Sequence, residues 1–399
     1  MRSDRSLSAD TPPAVFDDTP TSTELPRSAV AIGMVTMGYG PRYLGGAEHQ
    51  AALLATELAR RGRRIVLYAP SASTDAGRIS TPNIRIIPVP SLGFPRTRTA
   101  TYLPLLALLQ NLPGLEHPAI LHSHMAWYHA VVPQLARRLV GTRTVVKFAC
   151  SGADGDIATL SRSALGRFAL RRLFAADRVV ALTPAVADEL VRAGFPRTRV
   201  RLIPNGARMG EEAHEDIRSL DRPGPTVLFA GRLTKQKGIL EFLDAWHVVP
   251  NSVPNATLII AGVGPLENAI RKRVALADIR GTVSMVGHQP QIGDLLQSTD
   301  AVVIPSRSEG MSNVALEALA SSRPVFGFAI PGVEDVVVDR RALSEPGNHD
   351  NLAAKLASGL RSPALLDDLR LSGYERVRAQ FSIERVGTLY EQLYAELCD

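Results

Sequence analysis

Cysteine is almost missing from this chain: two residues in 399, Cys150 and Cys398. Two cysteines so placed support neither a disulfide framework nor a metal-ligand spacing, so a reducing cytoplasm is the expected location. Long apolar runs are missing too, since none approaches the ~18–20 residues of a membrane-spanning helix. Residues 1–26 are rich in Ser, Thr, Pro and Asp without an apolar centre, which excludes a secretory signal and predicts a disordered tail. No nucleic-acid recognition motif accompanies the basic residues, so a nucleic-acid partner is not expected.

What is present suits two ordinary domains. The chain is too long for one core, and 45% of it is hydrophobic and 21% charged. Its net charge of +6 is unevenly spread: residues 1–26 carry −3, residues 27–205 carry +14 and residues 206–399 carry −5. A strongly basic first half points to an anionic partner such as a phosphate or a membrane surface.

Apolar runs alternate with helix-like stretches along the whole chain. In the first half the runs at 28–35, 64–71, 84–89, 119–124, 144–148 and 178–182 read as strands, and the run at 200–206 closes the domain. A glycine-rich turn over 38–46 follows the first, then an amphipathic helix with Leu54 and Leu58 four apart. In the second half, runs at 226–230, 257–261, 283–286 and 300–304 repeat the pattern, with a helix from 239 to 248 after the first. Such alternation implies parallel sheets with helices on both faces, hence an α/β chain of two doubly wound, Rossmann-like domains whose strand ends face a cleft. The boundaries read as a first domain over 27–207, a linker over 208–225, a second domain over 226–381 and a last helix from 382 to the end, packing back towards the first domain.

The commonest use of a strand, glycine loop and helix is dinucleotide binding. That use wants G-x-G-x-x-G and an acidic residue after the second strand. Here Gly38 and Gly40 are followed by a glycine only at Gly45, and the second strand ends without a carboxylate. The oxidoreductase reading therefore fails.

The richest stretch follows the run at 300–304. A loop brings Glu309 towards a helix that carries Glu317 eight residues later. At 1.5 Å per residue the two lie about 12 Å apart along the axis. A retaining glycosidase needs its carboxylates about 5–5.5 Å apart and an inverting one about 6.5–9.5 Å. Two ends of one long ligand fit the spacing better than two sides of one bond.

Other strand ends add Gly45 with Gly46, His122 with His124, Asn205 with Gly206, Arg232 with Lys237, and Gly262 with Gly264. Taken in order, these blocks resemble the family-4 retaining glycosyltransferases, which have the two-domain GT-B fold. The family's Gly-Arg-x4-Lys-Gly pattern stands as Gly231, Arg232, Lys237 and Gly238, and its Glu-x7-Glu pattern as Glu309 and Glu317. The resemblance implies that Arg232 and Lys237 hold the diphosphate of a sugar nucleotide, with Gly45 and Gly46 bringing backbone against it. It places Glu309, with the amides of Gly310, Met311 and Ser312, on the donor sugar, Glu317 on the ribose, and His124 beside the sugar. It also implies transfer of a hexose, UDP-linked, to a hydroxyl of a glycan, lipid-linked or natural-product acceptor. The expected co-substrate is the nucleoside diphosphate sugar, with no tightly bound cofactor and no metal.

Each assignment has a plainer competitor. Arg232 and Lys237 would be solvated charges, Glu309 and Glu317 a helix cap and a surface ion pair, and Asn205 a turn residue. His122 and His124 are taken to alternate, so that only His124 faces the cleft and His122 is core. The sequence departs from the family in two places: Ala207 and Arg208 replace a common Val/Ile-Asp pair, and residues 147–156 replace a Thr-x-His-Gly loop. The second departure faces the acceptor side, so it leaves the donor site intact and the acceptor open. The basic segment at 165–174 suits a peripheral contact with an anionic membrane on its inner face, against the plainer reading of arginine-rich composition. Two rivals remain: a GT-B-shaped sugar-nucleotide 2-epimerase, and a non-catalytic sugar-nucleotide-binding subunit.

Overall fold

A computed structural model describes residues 31–37, 45–70, 82–89, 118–210 and 223–398. The expected N-terminal tail, the turn at 38–44 and most of the linker lie outside the described residues.

The first domain is built on β1 (Ala31–Val35), β2 (Arg64–Pro70), β3 (Ile84–Val89), β4 (Ile120–Ser123), β5 (Arg143–Phe148), β6 (Arg178–Ala181) and β7 (Val200–Leu202). They form one parallel sheet in the order β3-β2-β1-β4-β5-β6-β7. The second is built on β8 (Thr226–Ala230), β9 (Thr257–Ala261), β10 (Val283–Gly287), β11 (Ala301–Ile304), β12 (Val325–Phe328) and β13 (Leu343–Ser344), in the parallel order β10-β9-β8-β11-β12-β13. Central strands such as β1 and β11 are buried along their whole length. Sheets covered on both faces produce such continuous apolar runs.

Two strands were not legible as apolar runs: β12 has four residues, one of them Gly327, and β13 has two. The expected helix from 239 to 248 is two pieces, Ile239–Ala245 and Val248–Ser252, with Trp246 fully buried between them. Pro250 falls in the first turn of the second piece, where a missing N–H breaks no helix bond.

Each sheet reverses its winding once, between β1 and β4 in the first domain and between β8 and β11 in the second. Crevices at such switch points, outside the carboxyl ends of the strands, are where ligands bind in open α/β sheets. The four strand ends there lead to Gly45–Gly46, His124, Arg232–Lys237 and Glu309–Glu317 respectively.

The chain crosses between the domains twice, and the crossings lie side by side. The amide of Ala207 donates to the Phe381 carbonyl, and the amide of Ile383 donates to the Ala207 carbonyl, both at 2.8 Å. The final helix, Ile383–Cys398, then buries Val386, Tyr390, Leu393 and Leu397 in the first domain's core. That spacing of four, three and four is one helix face. Glu391 fixes the helix by accepting from Arg61 at 2.9 Å and Arg63 at 2.6 Å.

Candidate active site

The loop after β8 is shaped by glycine. Gly238 has φ +66°, and a Cβ there would lie 2.0 Å from the Pro305 carbonyl oxygen. Only glycine lets the end of this loop press against the end of β11. Two further bonds join the loops: Arg307 N–H to the Gln236 carbonyl at 2.8 Å, and Gln236 Nε2 to the Ser308 carbonyl at 3.1 Å.

Lys237 and Glu309 meet where these loops join. Lys237 Nζ lies 2.7 and 2.8 Å from the two carboxylate oxygens, and Ser306 Oγ donates to the first at 2.7 Å. The Glu309 side chain is only 8% exposed, so this carboxylate depends on its partners. Arg232 differs. It is exposed, and among the described residues no carboxylate lies within ion-pair distance of it. The loop therefore offers one paired cation, Lys237, and two exposed ones, Arg232 and Lys235.

Beyond Glu309, the chain enters the helix Asn313–Ala320, whose first turn is capped by Ser312 Oγ accepting from Ala315 N–H at 3.3 Å. Glu309 precedes this helix, so the ~12 Å spacing, which assumes a helix from one carboxylate to the other, applies only to its last part. Met311 Sδ accepts from the Asn205 amide at 3.3 Å. A Cβ on Gly310 would lie 2.6 Å from the Ala149 carbonyl and 2.9 Å from Cys150 Sγ. The Glu-Gly loop of the second domain thus rests on the divergent loop of the first. Cys150 is pushed up to about 12, chiefly by burial, then by Asp156 and Glu309, so it stays a thiol.

Glu317 lies across the cleft from the first helix, with Oε1 3.5 Å from His49 Nε2. Burial pushes its carboxyl up to about 7, although 30% of the side chain stays exposed at the cleft surface. Burial and the nearby Arg208 guanidinium lower the His49 imidazole, which weakens it as a charged partner. Arg208, one of the two departures noted in the sequence, thus stands close to this corner of the cleft.

The histidines correct one expectation. The His122 and His124 rings lie on the same side, with centroids 4.0 Å apart, and both are buried. Residues two apart in an extended chain share a face, so the pair does not alternate. Burial, followed by neighbouring charges that include Lys147, holds both imidazoles neutral. His122 Nδ1 is 2.7 Å from Tyr394 Oη, and the Tyr390 ring packs 5.2 Å away. Among the described residues, both ring nitrogens of His124 lack a hydrogen-bond partner. The last helix therefore backs the histidine pair, with His122 as the linker. No group of three metal-ligating side chains forms among the described residues.

Gly45 and Gly46 begin the helix Gly46–Arg60 without a side-chain cap. A Cβ on Gly46 would come 2.7 Å from Asn313 Nδ2 of the second domain. The structure thus gathers Arg232, Lys237, Glu309, Gly310, Met311, Ser312 and Glu317 on one wall of a cleft, with Gly45 and Gly46 facing them. His124 lies at the neighbouring strand end.

Two family profiles divide the chain along these lines. The profile described as Glycosyl transferase 4-like domain matches residues 45–206, and that described as Glycosyl transferases group 1 matches residues 211–376. The chain belongs to the family-4, group 1 glycosyltransferases. It is 28% identical over 331 residues to the 2-deoxystreptamine N-acetyl-D-glucosaminyltransferase of Streptomyces fradiae, covering 74% of this chain and 77% of that one. It is 23% identical over 365 residues to the N-acetyl-alpha-D-glucosaminyl L-malate synthase of Bacillus anthracis, covering 89% and 94%. Among solved structures, sucrose-phosphate synthase of Thermosynechococcus elongatus superposes with a TM-score of 0.78 at 22% identity, over 93% of this chain and 99% of that one. Anabaena HepE, solved in complex with UDP and glucose, gives 0.73 at 17% identity, over 92% and 100%. These likenesses establish the GT-B fold.

Within this glycosyltransferase, sequence reasoning passed over His49, Asn313 and Tyr394 and gave Lys147 no role of its own. Their partners lie far away in sequence, so no local pattern marks them.

Proposed function

We propose that the protein moves a hexose-type sugar, with retention, from a UDP-linked donor to a hydroxyl of a glycan, lipid-linked or natural-product acceptor. The observation that carries this reading is the Lys237–Glu309 pair at the β8/β11 switch point, with unpaired Arg232 on the same loop. As the bond from the anomeric carbon to the diphosphate breaks, negative charge grows on the departing oxygen. Arg232 and Lys237 are fixed cations aimed at that charge, and the start of the helix Asn313–Ala320 adds backbone N–H groups. Their charge removes the need for a metal. The acceptor oxygen bonds to the anomeric carbon on the face the diphosphate leaves, and its proton passes to the departing phosphate oxygen. Glu309 holds the sugar, Glu317 the ribose, and neutral His124 borders the sugar.

The Streptomyces fradiae and Bacillus anthracis relatives are named as N-acetylglucosaminyl enzymes, and HepE was solved with UDP. A thermal-shift panel of UDP-, GDP-, dTDP- and ADP-sugars tests the donor. A ligand at a hundred times its Kd stabilises by about 2.7 kcal/mol, which appears as a shift of several degrees. UDP-sugars are expected to give the largest shift and slow release of UDP. A shift from none of the four sinks the donor assignment. Tight UDP binding with no turnover favours a non-catalytic subunit, and a new sugar nucleotide formed without acceptor favours an epimerase.

The helix Ala164–Leu173 supports a peripheral membrane contact. It exposes 64% of Leu165 and 47% of Phe168, with Arg167 and Arg171 exposed beside them and Arg172 stacked 5.0 Å over the Phe168 ring. Apolar and cationic groups on one face suit an anionic bilayer surface. At low salt, vesicles containing anionic lipid are expected to sediment the protein and neutral vesicles are not. Equal recovery from both removes the contact.

A further inference from the structure

Lys147 is a buried charge that the reaction described above does not use. It sits on β5 under the cleft, and burial pushes its ammonium down to about 7. Its Nζ donates to Asn205 Oδ1 at 2.7 Å, the one hydrogen bond it makes among the described residues. Asn205 does not stop there. Its Nδ2 crosses the cleft and donates to Asn313 Oδ1 at 2.8 Å, and Asn313 Nδ2 returns to the first domain, donating to the Gly46 carbonyl at 2.9 Å.

We infer that Asn313 is a latch between the domains, read by Asn205 and Gly46 and anchored by Lys147, and that these are positioning residues for the transfer. The chemistry of the relay is directional. In its protonated form Lys147 supplies only donors, which turns the Asn205 oxygen inward and its NH2 outward. Asn313 then meets an N–H donor on one side and a carbonyl acceptor on the other, and a carboxamide provides an acceptor and a donor in one plane. Aspartate matches the first partner and repels the second.

The first-domain half of the latch is rigid. Gln50 grips the neighbouring Gly206 through both backbone groups, accepting from its amide at 2.9 Å and donating to its carbonyl at 2.8 Å. The second-domain half is equally fixed, because Asn313 is the first residue of a helix capped by Ser312. The latch therefore sets the distance between two helix N-termini, those of Gly46–Arg60 and Asn313–Ala320, on either side of the cleft. It also gives Gly46 a second reason to be glycine, since a Cβ there would strike Asn313 Nδ2 at 2.7 Å.

The effect on turnover rests on the proposed transfer reaction; the latch itself does not. Three variants test it: Asn313→Ala removes both cross-cleft bonds, Gly46→Ala pushes the amide away, and Asn205→Asp keeps the Lys147 contact but reverses the relay. In unliganded protein, amide hydrogen exchange over residues 46–50 and 313–316 is expected to rise about tenfold in all three, with β5 and β8 unchanged. The kcat/KM for the UDP-sugar giving the largest thermal shift is expected to fall about tenfold or more in each, and pairwise combinations to fall no further, as for residues acting as one unit. Unchanged exchange in Asn313→Ala and Gly46→Ala overturns the latch. Faster exchange with turnover within about twofold of wild type, or losses that multiply in the pairs, overturns its positioning role. Turnover surviving Lys237→Ala would instead count against the donor site, leaving the exchange result standing.

Discussion

Alanine in place of Lys237 is expected to lower donor turnover about a hundredfold or more, the equivalent of about 3 kcal/mol, while the chain still folds. The loss follows from where the ammonium sits. It is held at the β8 strand end by the Gly238 turn, where the proposed donor site puts the leaving group's developing charge. Arg232, exposed on the same loop, cannot replace it without leaving its own position. Stability should change as well, by a separate route. With Lys237 gone, a carboxylate 8% exposed keeps, among the described residues, only the Ser306 hydroxyl, which costs about 1–3 kcal/mol. Release of nucleoside diphosphate from the UDP-sugar with the largest thermal shift reads the first effect, and a thermal melt reads the second. Near-normal release removes Lys237 from the site.

Much of this architecture was legible because buried parallel strands are short apolar runs bounded by glycine or proline. Six of the seven strands of the first sheet announce themselves this way, and β7 lies within the run that closes the domain. β12 and β13 do not, because four residues with a glycine and two residues give no period to read. The second-domain wall of the site was legible for a similar reason: Gly231 to Gly238 and Glu309 to Glu317 are each one strand end and its loop, so spacing in sequence is spacing in space. Contacts across the cleft have no such signature. The Asn205–Asn313 bond joins residues 108 apart, and the His122–Tyr394 bond joins residues 272 apart. Both depend on the two crossings near Ala207 and Ser382, which set how the domains face each other. The pairing of Lys237 with Glu309 was likewise invisible. Each was assigned to a different part of the donor, and their mutual contact appears only when the two loops are joined.

Glu309→Gln is expected to reduce turnover as severely as Lys237→Ala, about a hundredfold, with a smaller loss of stability. Glutamine keeps the shape and can still accept from Ser306, but it no longer holds Lys237 or accepts strongly from a sugar hydroxyl. The stability loss is smaller because the freed ammonium, 20% exposed, can turn towards water, whereas a freed Glu309 cannot. The double variant, Lys237→Ala with Glu309→Gln, separates the two effects. It contains no unpaired buried charge, so its melting temperature should return most of the way to wild type, while turnover stays at the level of the singles. Recovery of turnover together with stability would mean that the single variants lost folding rather than chemistry, and the pair would then be a structural ion pair at the edge of the cleft.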